Sequence, residues 1–172
     1  MRRWNGWGDE NTSMDLPQSA GEFLSKVIGA GHRLNDIDLA EVINTVPASR
    51  LPEHALVSVN AEQRVRHAKG QSLPDWLAMH SGEINCFPDG VCFPENKQDV
   101  KDILTYAKAH KVELIPYGGG TSVAGHINPK QSERPVLTVN MGRMNQLLHL
   151  DEQSQIATFG AGTPGPMVEA QL

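Results

Sequence analysis

The sequence is poor in cysteine. Its 172 residues contain only Cys86 and Cys92, too few for a disulfide scaffold, and their six-residue offset matches none of the common zinc spacings. Two buried or incidental thiols in a reducing, cytoplasmic setting are expected. No run of 18 apolar residues exists, so no membrane span is expected. The opening "MRRWNGWGDE" has two arginines with no apolar run behind them, which does not read as a secretory signal. Positive charge is also short: 15 Lys and Arg stand against 20 Asp and Glu, for a net charge of -5. That balance supplies no basic footprint for nucleic acid. Arg64, Arg66, His67 and Lys69 form one small basic cluster, expected to be a solvated face.

What is present is enough for a globular domain of ordinary size, with 39% hydrophobic residues. Residues 1–20 read as an irregular arm whose Trp4 and Trp7 would pack on another surface. Two short helices are expected between 20 and 46. "AGEFLSKVIGAGH" places Phe23, Leu24, Val27 and Ile28 at helical spacing, and "LNDIDLAEVINTV" repeats the pattern with Leu39, Val42, Ile43 and Val46. "PASRLPEH" reads as a linker. "SLPDWLAMHSG" suggests a helix ended by Gly82, and Gly90–Phe93 a short strand. "NKQDVKDILTYAKAHK" is a helix capped by Asn96, with Val100, Ile103, Leu104 and Ala107 on one face. "VELIPYGGG" completes a strand–helix–strand unit whose strands are expected to be parallel neighbours. "RPVLTVN" is a further strand, and "QLLHLDEQSQIATFGAGT" reads as two strands joined by Asp151–Ser154. "TPGPMVEAQL" opens a helix with Thr163 as cap. The chain stops inside that helix, as a chain cut short of its domain would.

"PYGGGTSVAGH", residues 116–126, puts three glycines directly after a strand. Without Cβ atoms, successive backbone N–H groups can approach a ligand closely, and such a nest favours an anion. Thr121 and Ser122 add hydroxyl donors, a combination suited to phosphate or pyrophosphate. A plain tight loop fits the same letters. No lysine follows Gly120, which disfavours a Walker loop and nucleotide triphosphate hydrolysis. "GAGTPG" at 160–165 matches G-x-G-x-x-G, but it follows a hairpin strand, contains Pro164 and has no acid about 20 residues on, so the Rossmann reading is weak. His126 is expected to be a satisfied polar group. No catalytic triad, His/Cys pair or paired carboxylates can be assembled, so the catalytic residues are unknown, and no metal is expected.

The run from Arg64 to His126, followed by "TVNMGRMNQLLHLDEQSQIATFGAGT", resembles the first half of the FAD-binding domain of the vanillyl-alcohol oxidase and p-cresol methylhydroxylase (PCMH-type) flavoproteins. Within that family it is most similar to the branch containing alkyldihydroxyacetonephosphate synthase, a likeness that "RWNGWGDE" extends towards the amino terminus. The resemblance implies an α+β fold. Residues 1–63 would form an amino-terminal arm and helical extension, and residues 64–172 the first, βαβ-containing part of an incomplete FAD-binding domain. It implies that Pro116, Tyr117, Gly118, Gly119, Gly120, Thr121, Ser122 and Val123 bind the FAD pyrophosphate. Relatives with covalent flavin carry a histidine where this chain has Thr121, so FAD is expected to be non-covalent. The parent would be an FAD-linked oxidoreductase acting on a small-molecule substrate; an alkylglycerone-phosphate synthase-like transferase, or an inactive truncated chain, are the alternatives. Oligomeric state is left open.

Overall fold

The computed structural model describes residues 2–31 and 36–172. The elements run α1 (Gln18–Ile28), α2 (Leu39–Ile43), β1 (Val57–Ser58), α3 (Ala61–Arg66), α4 (Leu73–Ser81), β2 (Gly90–Cys92) and α5 (Lys97–His110). They continue with β3 (Glu113–Tyr117), β4 (Val136–Asn140), a 3-10 turn (Met141–Arg143), β5 (Leu147–Asp151), β6 (Ile156–Phe159) and α6 (Gly165–Gln171). The first two residues of the second helical stretch read from the sequence, Leu34 and Asn35, lie outside the described residues.

Four strands form one sheet in the order β1-β2-β4-β3, with β1 antiparallel and the others parallel. The two strands that flank α5 are therefore parallel but not neighbours. β4, later in the chain, lies between them and pairs Leu137 with both Gly90 and Leu114. The reason is burial. The first four residues of β4 are buried on both faces, as a central parallel strand requires, whereas β3 is only partly covered. Leu137 and Val139 join Cys92, Ile103, Tyr106, Ala107 and Val112 in the core under α5. A second core gathers Val42, Val65, Ala68, Met79 and Ile84 from α2, α3, α4 and the loop after α4.

Local chemistry sets the helix ends. Asn96 accepts from the N–H groups of Gln98 and Asp99 at the start of α5, as its sequence implies. Ser72 and Asp75 form a reciprocal capping box on α4, and Gly82 ends it. On α5, Tyr106 rather than Leu104 completes the buried face; Leu104 is exposed. Thr163 does not cap α6. Its hydroxyl donates to Gly160 O and Pro164 holds the cap position. Trp4 packs against the second core, but Trp7 faces solvent. The apolar residues Phe23, Leu24, Val27 and Ile28 of α1 are also exposed. Burial pushes the Cys92 thiol up to about 12, while Cys86 is half-buried, and neither is bridged.

The stretch read as a linker is held firmly. Asp89, immediately before β2, accepts from Arg50 Nε at 2.9 Å, Arg50 Nη2 at 2.7 Å, Arg50 N at 3.1 Å and Val136 N at 2.8 Å. One carboxylate thus ties residue 50 to the entrances of β2 and β4. Burial alone would raise its pKa, yet the bonds from Arg50 and Val136 outweigh burial and hold it below the ordinary value. A depressed carboxylate stabilises the fold above its unfolded pKa, and that stabilisation is lost as pH falls through the folded pKa. Asp89→Asn should cost about 1.5–3 kcal/mol at neutral pH. It should also flatten the loss of stability below about pH 4, as urea unfolding at a series of pH values will show.

Candidate functional site

The parallel strands end together at one edge of the sheet. There Phe93, Tyr117, Gly118, Gly119 and Asn140 line a cleft of about 410 Å³ with Arg2, Arg3, Arg66, His67 and Lys69. A larger cleft, about 560 Å³, lies at the opposite strand ends beside Asp89 and Ser132, away from the glycines.

The residues predicted from the sequence occupy the end of β3 and the loop that follows. Pro116 is exposed and Tyr117 is buried, and Gly118 and Gly119 are exposed. Gly120 is buried, Thr121 exposed, Ser122 half-buried and Val123 exposed. Three loop carbonyls are held by other parts of the chain. Arg2 Nη1 donates to Gly119 O, Arg2 Nη2 donates to Gly120 O at 3.1 Å, and Gln71 N donates to Ser122 O at 2.6 Å. None of the peptide bonds among the described residues is cis, and in a trans peptide the C=O and the following N–H point in opposite directions. The N–H groups of Gly120, Thr121 and Val123 consequently face away from their anchors. No N–H from Gly119 to Val123 has a protein acceptor among the described residues. A run of unpaired backbone donors is suited to an anion, and the loop is the candidate cradle.

Each glycine has its own reason. Gly120 sits at φ +63, and a Cβ there would meet the Tyr117 hydroxyl oxygen at 2.1 Å, so the chain itself requires this glycine. A Cβ on Gly118 would meet nothing within 4 Å, and one on Gly119 only Thr121 Cγ2 at 3.6 Å. Their open side is space for a ligand. The second glycine cluster behaves differently: a Cβ on Gly160 or Gly162 would strike the carbonyls of Met144 or Met141. Those two pack the end of the β5–β6 hairpin against the turn at 141–145, and they form no dinucleotide loop.

The basic cluster is the main feature that sequence reasoning misplaced. Arg64 is buried and donates to Pro88 O at 2.6 Å and Pro47 O at 2.7 Å. Arg66 bonds Glu62, Glu10 and Arg2 O. His67 is buried beneath the cleft, 4.5 Å from the Tyr117 ring and edge-on to Phe93. His67 Nδ1 faces Gln63 O at 2.7 Å and so carries the proton. Asn140 Oδ1 accepts from Gly142 N, which turns Asn140 Nδ2 towards His67 Nε2 and makes Nε2 an acceptor. The ring is thus held neutral. Asp75, Asn128 and Gly70 also went unread. Asn128 donates to Asp75 at 2.6 Å and accepts from Gly70 N at 2.8 Å, fixing the far end of the loop. Only the capping pattern Ser72–Asp75 signalled any of them. His126 pairs with Ser122 Oγ at 3.0 Å, the satisfied polar role expected of it.

Comparison with known proteins gives this cradle a family. Residues 88–172 match the family described as FAD binding domain. This half of the chain is an FAD-binding domain, consistent with the PCMH-type flavoproteins. It is 36% identical over 118 residues to alkyldihydroxyacetonephosphate synthase of Trypanosoma brucei brucei, which covers 67% of this chain and 19% of that protein. It is 30% identical over 153 residues to the D-lactate dehydrogenase [cytochrome] of Arabidopsis thaliana, covering 87% of this chain and 24% of the relative. A solved structure of alkyldihydroxyacetonephosphate synthase superposes on 99% of the chain and 38% of its own length with a TM-score of 0.80 at 23% identity, a likeness of fold. The chain spans well under half the length of these relatives. FAD is the flavoprotein's cofactor, and the loop's donor set, neutral and rich in N–H, fits a pyrophosphate. Among the described residues no His, Cys, Asp and Glu grouping could hold a metal, and no helix is long and apolar enough to cross a membrane.

Two outcomes follow from this geometry. Gly118→Ala should leave the thermal unfolding midpoint nearly unchanged, whereas Gly120→Ala should lower stability by about 1–3 kcal/mol from the backbone alone, as calorimetry will report. His67 shares the sign of Asp89 but acts in a higher pH window. Burial is the largest effect on it and lowers its pKa. The unfolded state therefore takes up its proton first, and stability is lost as pH falls below about 6.5. His67→Gln should remove that component, so that its stability varies less between pH 7 and 5 than that of the unaltered chain.

Proposed function

We propose that the loop from Pro116 to Val123 binds the pyrophosphate of FAD non-covalently. Gly120, Thr121 and Val123 supply backbone donors, Gly118 and Gly119 leave room for phosphate oxygens, and Thr121 and Ser122 add hydroxyls. Pro116 and Tyr117 end the strand that sets the loop. The observation that carries this reading is the set of three loop peptides held by their carbonyls, with N–H groups free on the other side. Thr121 stands where relatives with attached flavin have histidine, and His126 is engaged with Ser122. We assign residues 64–172 to the first part of the FAD-binding domain and residues 1–63 to an arm and extension that pack on it. The unbridged cysteines support a cytoplasmic protein.

Bound FAD supplies the hydride-accepting flavin of an oxidoreduction, with a 2-hydroxy acid or an alcohol as donor. The chain's own contribution is to bind and orient the cofactor. Gly119→Val adds a branched side chain whose Cβ meets only Thr121 Cγ2, at 3.6 Å. Steric exclusion and lost charge-assisted hydrogen bonds should cost about 2–4 kcal/mol, or about 30- to 1000-fold in FAD affinity. Flavin fluorescence titration, with circular dichroism as a check on folding, measures it. A folded variant that binds FAD normally would overturn the assignment.

A second reading is alkyl transfer, as in ether-lipid synthesis, and one observation favours it. The alkyldihydroxyacetonephosphate synthase of Trypanosoma brucei brucei is the more identical relative, at 36% against 30% for the D-lactate dehydrogenase. Incubating the full-length protein with acyl-dihydroxyacetone phosphate and a fatty alcohol separates the two readings. Ether product without flavin bleaching supports transfer, and bleaching by a hydroxy acid supports oxidation.

A further inference from the structure

We propose that Arg2 is a positioning residue for the cofactor loop, and that the amino-terminal arm is a clasp which sets the direction of the loop's donors. The inference rests on the reading of the loop as the FAD pyrophosphate site. Arg2 lies more than a hundred residues before the loop, yet its guanidinium spans two successive carbonyls, Gly119 O and Gly120 O, and lies 3.4 Å from Tyr117 Oη. A planar fork can hold two neighbouring carbonyls at once, which a lysine ammonium does only as a point charge. Holding those carbonyls turns the Gly120 and Thr121 N–H groups to the opposite side. The cation also sits at the oxygen ends of both peptide dipoles, so it reinforces the positive ends that face the anion.

The arm is built to deliver this side chain. Arg66 Nη1 donates to Arg2 O at 3.0 Å, and Arg66 Nη2 pairs with Glu10 at 3.0 Å, so one guanidinium grips both strands of the arm's turn. Within the turn Arg3 N donates to Gly8 O at 2.9 Å, and Arg2 and Asp9 form a short antiparallel bridge. Trp4 anchors the arm on the second core. The far carbonyl, Ser122 O, is held by Gln71 instead. The clasp therefore controls two of the three donors and leaves Val123 as an internal reference.

The test uses the full-length protein labelled with ¹⁵N and titrated with FAD, and every variant below is made in that protein. Arg2→Gln keeps a polar amide on a shorter stem and loses the charge and the fork; Arg2→Lys keeps the charge alone. Arg134→Gln removes an exposed cation at the other end of the sheet, where it pairs with Glu113. Arg2→Gln should weaken FAD binding about tenfold or more, with Arg2→Lys in between and Arg134→Gln unchanged. The ¹⁵N shifts of Gly120 and Thr121 should move in both Arg2 variants while that of Val123 holds, a signature that general loss of stability does not produce. Unaltered FAD affinity in folded Arg2→Gln overturns the clasp alone. Equal weakening in Arg134→Gln also overturns it, by showing a bulk charge effect. An unaltered full-length protein that binds no FAD overturns the cofactor reading, and this inference with it.

Discussion

In a trans peptide, a grip on the carbonyl is a decision about where the next N–H points, and the cradle depends on that constraint. The glycine loop contributes few side chains to its own ordering. Its direction is set from outside, by Arg2 on two carbonyls and Gln71 on a third. Further supports stand behind these. Asp75 and Asn128 fix the chain around Gly70, and Arg66 fixes the arm that carries Arg2. On the reading proposed above, donors prepared in this way need little rearrangement to receive an anion, which is the advantage of a pre-formed site.

The letters "PYGGGTS" revealed the loop because bare backbone after a strand has few uses. They did not distinguish the glycine the fold needs from those with open space beside them. Gly120 answers to Tyr117 and to a positive φ, Gly118 and Gly119 to open space, and only coordinates separate these demands. The helix ends at Asn96 and Gly82 were legible because capping is local. The position of β4 between β2 and β3 was not, since pairing order is settled by which strand buries both faces. Arg64, Arg66 and His67 were misread for a related reason. Arginine can be buried if carbonyls from distant segments receive it, and no window of sequence around Arg64 contains Pro88 or shows that Pro47 comes near.

The two ends of the sheet are organised by different chemistry. At the strand entrances, the Asp89 carboxylate joins Arg50 and Val136. At the strand exits, cations and neutral rings predominate: Arg2, Arg66 and Lys69 surround His67, Tyr117 and Phe93. The overall charge of -5 thus conceals a group of cations lining the cleft beside Gly118 and Gly119. Depression of the His67 pKa has burial as its main cause, with Arg2 and Arg66 adding to it, so the ring stays neutral among those cations.

The insertion of β4 has a consequence for the order in which the molecule assembles. Tyr117 ends its strand by pairing with Asn140, and Cys92 pairs with Val139. When α5 and β3 have been synthesised, β2 has only the short β1 beside it and β3 has no partner, because the strand that joins them is still to come. The strand–helix–strand segment is therefore not an autonomous folding unit. Closure of the sheet must wait for a contact of long sequence separation, whose loop entropy slows it. The cradle can acquire its shape only after that step, although its residues leave the ribosome well before it. Its supports arrive in reverse: Arg2, Arg66 and Gln71 are present from the start and wait for the loop to be brought to them.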